Sequence, residues 1–138
     1  MLITLHMQFK IDTSEKYTAI APLEIHIYDN MAAELAARCS DYLRNEIKNI
    51  ILNLKEVKII DDKVATDIAE LQQSFYEGSA SFVICEMNAD IEAVFEKLEL
   101  LDVLNVTPTL SEAWDIIQME EIERELLDSD DVEFDVEK

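Results

Sequence analysis

Asp61 and Asp62 stand side by side in IIDDKVAT (residues 59–66), where two apolar residues give way to charge just before a pattern with helical spacing. A carboxylate pair at such a corner has four chemistries open to it: a catalytic dyad, a magnesium site, a phosphate acceptor or a helix cap. Acid–base catalysis needs two carboxylates in different environments around one pocket, so that one stays protonated while the other ionises. Adjacent residues rarely aim at one target, and no His or Cys lies near them in the chain. His6 and His26 fall in strand patterns, where solvent-facing or hydrogen-bonded residues are expected. Magnesium asks for carboxylates plus open water positions. Acidic phosphoacceptor sites of that kind need a further acidic pair after the first strand of a parallel order, and this chain opens with a hairpin instead. The cap is physically sufficient, because Asp61 or Asp62 can accept the free N–H groups of a helix beginning near Val64 and meet the positive end of its dipole. No catalytic residue, metal ligand or cofactor is expected.

The chain around this pair has 138 residues, 49% of them hydrophobic, which suits one domain with a substantial core. It has no apolar run of the roughly 18 residues that span a bilayer, and MLITLHMQFK has neither the apolar length nor the cleavage site of a signal peptide. A cytoplasmic protein without direct membrane insertion is the expectation. A formal charge of −20 argues against nucleic acid and anionic lipid as partners. Ten of the 31 acidic residues fall between Met119 and Lys138, against Arg124 and Lys138 as the only cations there. The single glycine excludes a glycine-rich phosphate loop and predicts few left-handed backbone positions. Cys39 and Cys85 lack the spacing of a zinc or redox motif and are expected to be buried free thiols.

The elements that must position the pair follow from periodicity. Residues 8–12 alternate, TSEK turns, and Tyr17, Ala19, Ala21, Leu23, Ile25 and Ile27 alternate again, which predicts an N-terminal hairpin whose second strand is kinked at Pro22 or lies at an edge. Met1–His6 either extends the first strand or precedes a start at Met7. Asn30 is the expected N-cap of a helix carrying Met31, Leu35, Cys39, Tyr42, Leu43 and Ile47. IILNL (50–54) reads as a strand covered on both faces. Val64, Ile68, Leu71 and Phe75 stripe the next helix, and Gly78 closes it. SFVIC (81–85) is a buried strand, Ile91, Val94, Phe95 and Leu98 stripe a third helix, and DVLNV (102–106) is a short strand. Thr109 and Glu112 have capping-box spacing before a last helix with Leu110, Ala113, Trp114 and Ile117. The fold class is therefore α/β, with a mixed, mostly parallel sheet of four to five strands entered by a hairpin and about four helices. The folded domain is placed at residues 1–118. Residues 119–138 form an acidic extension that continues the last helix and then leaves order, or else offers Val132, Phe134 and Val136 as an added strand to a partner.

The order and spacing of these elements, AAEL (32–35) in the first helix, the strand end NLKEVKIIDD, FVIC and LDVLNVTPTLSEAWDII together resemble a STAS domain, the fold of bacterial anti-sigma factor antagonists. The resemblance covers about Met7 to Gln118. Partner-switching members carry Asp-Ser-Ser-Gly at the strand end, with the second Ser phosphorylated by an anti-sigma kinase. This chain reads Asp61, Asp62, Lys63, Val64, and IHIY (25–28) stands where the family has Gly-Glu-Leu-Asp.

The resemblance implies a non-catalytic interaction module that lacks the serine switch. Its partner would be an anti-sigma factor or a histidine-kinase-like regulatory protein, held by Tyr28, Asn30, Asp61, Asp62, Lys63, Val64, Thr66 and Asp67. Thr66 is the remaining hydroxyl for another phosphorylation. The other implied class is the STAS subunit of a lipid-transport ABC complex, and a homodimer is left open.

Overall fold

The computed structural model describes residues 7–136, with side chains as far as Leu127. The hairpin forms as expected: β1 (Phe9–Thr13) runs antiparallel to β2 (Thr18–Pro22) across a turn in which Ser14 Oγ accepts from the N–H of Tyr17. β2 then pairs in parallel with β4 (Ile50–Asn53), β4 with β6 (Phe82–Cys85), and β6 with β7 (Val106–Thr107), giving a five-stranded sheet in the order β1-β2-β4-β6-β7. A separate two-stranded parallel sheet joins β3 (His26–Ile27) to β5 (Ile59–Ile60).

The apolar runs of β4 and β6 are buried on both faces, as their lack of alternation predicts. Ile50, Leu52, Phe82 and Ile84 face the larger core, shared with Leu35 of α1 (Ala32–Ser40), Ile68 and Phe75 of α2 (Asp62–Glu77), and Ile91 and Phe95 of α3 (Ala89–Lys97). Ile51, Val83 and Cys85 face the other way, onto Ala113 and Ile117 of α4 (Leu110–Val136). Each of the Val, Leu, Ile and Phe side chains among them contributes about 1.5–3 kcal/mol when taken fully out of water.

Several expectations are corrected. The alternation from Tyr17 to Ile27 does not describe one strand. β2 ends at Pro22, and β3 pairs with β5 outside the main sheet, so Leu23 and Ile25 lie exposed. Asn30 caps nothing, because a 3₁₀ turn at Asp29–Met31 precedes α1. That helix stops at Ser40, so Tyr42 and Leu43 sit in a second 3₁₀ turn (Asp41–Arg44) and Ile47 in a loop. Of the strand expected at 102–106 only Val106 pairs in the sheet, within β7 (Val106–Thr107), since Leu101–Val103 is another 3₁₀ turn. α4 opens on the expected cap, with Thr109 Oγ1 accepting from the Glu112 N–H at 3.1 Å. The helix extends to Val136. Met1–His6 lies outside the described residues.

Left-handed backbone occurs without glycine. Ser79, Glu86 and Glu99 all have φ of 59°, whereas Gly78, the C-cap of α2, has φ of −88°. What Gly78 supplies is room: a Cβ there would lie 3.0 Å from Leu43 Cδ2.

Candidate functional site

β5 delivers the chain to α2 at the corner where the aspartate pair stands. The N–H groups of Lys58 and Ile59 both donate to the carbonyl of Ile25, at 2.8 and 3.2 Å, and that of Asp61 donates to Ile27 at 3.1 Å. Asp61 is the backbone N-cap of α2: it is extended, and its carbonyl accepts from Val64 and Ala65 at 3.0 and 3.2 Å.

Its side chain does not cap the helix, contrary to expectation. The two carboxylate oxygens are held instead by donors on the neighbouring turn: Oδ1 lies 2.8 Å from His26 Nε2, and Oδ2 accepts from the Asp29 N–H at 2.8 Å. Both bonds favour the ionised form, so the Asp61 carboxyl is held below its usual range, by His26 first and by the Asp29 amide second. The imidazole in turn lies flat on the Tyr28 ring, with centroids 3.7 Å apart and planes 11° from parallel. Asp61 thereby latches the turn after β3 to the start of α2.

The next residues balance charge across the corner. Asp62 receives Lys97 Nζ from the end of α3, at 2.9 and 3.2 Å from its two oxygens. Lys63 reaches one turn along α2 to Asp67 Oδ2 at 3.4 Å, an i,i+4 pair of small energetic weight at this exposure. Thr66 is exposed, with Oγ1 donating to the carbonyl of Asp62 at 3.2 Å.

The corner thus gathers Tyr28, Asn30, Asp61, Asp62, Lys63, Thr66 and Asp67 around the start of α2 and the turn after β3. Val64 is different: it is fully buried, so its side chain belongs to the core and is not at the surface. Four residues that the sequence did not single out complete the corner. His26 and Lys97 reach it from 35 positions away in the chain, a separation that leaves no local pattern to notice. Leu23 and Ile25 were expected to continue a buried alternation. Pro22 was the available signal that they would not, since a strand need not carry its alternation past a residue that lacks an N–H. With Tyr28 and Ile59 they form an exposed apolar rim, Ile25 being 69% exposed. The arrangement clamps two segments together and displays apolar side chains beside paired charges.

Cys39 and Cys85 are free and buried as expected, and burial pushes both thiols up to about 12.

The STAS domain family model matches residues 10–113 of the chain. Among solved structures, a candidate anti-sigma factor antagonist from Thermotoga maritima is 20% identical, with a TM-score of 0.72 over 80% of this chain and 94% of that one. An anti-sigma factor antagonist from Mycobacterium paratuberculosis is 11% identical, with a TM-score of 0.71 over 81% and 94% of the two chains. The phosphorylated form of the Bacillus cell fate determinant SpoIIAA is 14% identical, with a TM-score of 0.59 over 80% and 99%. No curated protein matches the sequence.

Proposed function

This chain belongs to the STAS domain family, and on that premise we propose that it is a non-catalytic interaction module. In this reading it holds an anti-sigma factor or a histidine-kinase-like regulator at the β5–α2 corner and is not switched by serine phosphorylation. One observation carries it: Lys63 occupies the first turn of α2, directly beyond β5, where partner-switching members resembling this chain carry the phosphorylated serine. A phosphoserine at that point brings close to two negative charges to a helix N-terminus and expels a closely packed partner. Lys63 offers no hydroxyl and brings the opposite charge.

The surroundings support binding. The apolar rim of Leu23, Ile25, Tyr28 and Ile59 gives a partner surface to bury, and the Asp61 latch holds the two segments carrying it in one arrangement. The charges beside it are already paired, Asp62 with Lys97 and Lys63 with Asp67, so a partner need not neutralise them.

Affinity purification from the native host at native level, read by mass spectrometry for companions and phosphosites, tests this. The expected result is a regulator of the anti-sigma class in near-equal amount and an unmodified chain. An ATPase with a permease in its place would assign the protein to a lipid-transport complex, and phosphate on Thr66 would overturn the unswitched half of the proposal.

A further inference from the structure

α4 reverses its polarity past Gln118. Before that point its inward residues are apolar, with Ala113 and Ile117 fully buried. In the next two turns the inward positions are Glu120, Glu121 and Arg124, bonded to residues that precede the parallel strands. Ser81 Oγ donates to Glu120 Oε1 at 2.6 Å, Asn105 Nδ2 to Glu120 Oε2 at 3.0 Å, and Asn49 Nδ2 to Glu121 Oε2 at 2.7 Å. Arg124 reaches Ser81 Oγ at 3.3 Å and Asn49 Oδ1 at 3.5 Å. This network fixes the rotation of the helix about its axis.

The apolar side chains of the same turns are thereby turned outward. Met119, Ile122 and Leu126, at i, i+3 and i+7, form one stripe opposite the bonded face and are 61%, 56% and 54% exposed. An amphipathic helix left to itself would bury that stripe and solvate its charges. Here the hydrogen bonds hold it in the contrary orientation.

The charges around the stripe identify what would cover it. Asp115, Glu123 and Glu125 flank it, Arg124 is turned inward, and the chain carries a formal charge of −20. A second copy would bring the same carboxylates to the contact, which like-charge repulsion opposes. A ridge with i, i+3, i+7 spacing packs against another helix. We propose that the outer face of α4 from Met119 to Leu126 docks an amphipathic helix of another protein, whose apolar stripe is edged by lysines or arginines. Glu120 and Arg124 share a groove with Tyr76 near the end of α2, whereas Lys63 lies at its start. The two are separated by the length of that helix, about 24 Å at 1.5 Å per residue, so both surfaces can be occupied together.

The test uses the full chain and two fluorescein-labelled helical peptides with the same leucine stripe, one flanked by lysines and one by glutamates, read by fluorescence anisotropy. The lysine peptide should bind at least ~10-fold more tightly than the glutamate peptide, and less tightly as salt is raised. The triple variant Met119→Gln, Ile122→Gln, Leu126→Gln should weaken it by ~10-fold with an unchanged melting curve. Glu123→Lys with Glu125→Lys should weaken it while the stripe stays intact, and Lys63→Ser should leave it unchanged. Equal binding of the two peptides, no binding of the lysine peptide, or indifference to the triple variant would each overturn the proposal. So would a dimer, seen by sedimentation, that the triple variant abolishes, since a second copy would then cover the stripe.

Discussion

Asp61 turns its carboxylate away from the helix that its backbone caps and onto His26, 2.8 Å away across the two-stranded sheet. The bond joins residues that the chain separates by 35 positions and makes the corner one unit.

Acid should undo that bond. A carboxyl held below its usual range contributes stability that is complete above the ordinary carboxylate range and is lost as pH falls through the lower, folded value. Asp61→Asn removes this contribution. Urea midpoints of wild type and variant should therefore differ at neutral pH, and the gap should narrow as pH falls below about 5 and close in stronger acid. A gap that widens in acid would contradict the assignment.

Under the proposed function Lys63 matters for recognition and little for folding. Its ammonium is exposed, and its pairing with Asp67 is an exposed i,i+4 contact. Lys63→Ser should change the unfolding free energy by no more than about 0.5 kcal/mol, as read by urea denaturation. Retention of the native partner on the same variant should fall.

Ser79 takes a left-handed conformation at the exit of α2, where glycine carries no Cβ penalty. Ser79→Gly should raise stability by up to about 1 kcal/mol, the offset being the greater freedom of the unfolded chain. Gly78→Ala should lower it, because the new methyl meets Leu43 Cδ2. Thermal melts of the two variants should move in opposite directions.

Cys39 and Cys85 should be silent in the folded protein. Burial pushes both thiols up to about 12, so a chromogenic disulfide reagent near neutral pH meets almost no thiolate. Both should react once the chain is unfolded in guanidinium. Fast labelling of either in the native state would show that its cover opens readily.

Continuous apolar runs made the sheet centre legible: IILNL and SFVIC read as strands covered on both faces, and Ile50–Asn53 and Phe82–Cys85 within them are such strands. The stripe of Val64, Ile68, Leu71 and Phe75 located α2 in the same way. What local pattern could not supply was pairing at a distance. His26 looked like any strand residue because its partner comes from another element, and Asp61 looked like a side-chain cap because the amide and imidazole that claim it are remote in sequence. Short elements failed for a related reason. The two residues of β3 and of β5 are too few to show a period, and three 3₁₀ turns imitate helix or strand over a few positions. Left-handed backbone is confined to a few positions among the described residues, and it is Ser79, Glu86 and Glu99 that adopt it, not the one glycine.

The central sheet has a thick side and a thin one. Most of the buried apolar residues lie with α1, α2 and α3, while the apolar contacts of α4 come from Ile51, Val83, Cys85, Ala113, Ile117 and a few half-covered neighbours, and past Gln118 it is held by hydrogen bonds to Asn49, Ser81 and Asn105. A layer with so few apolar anchors is the one that opens first. Amide exchange should therefore run faster in α4 itself than in β4 and β6, which α1, α2 and α3 still cover on the other face, and pulling on the C-terminus would peel that helix away before the rest of the protein yields.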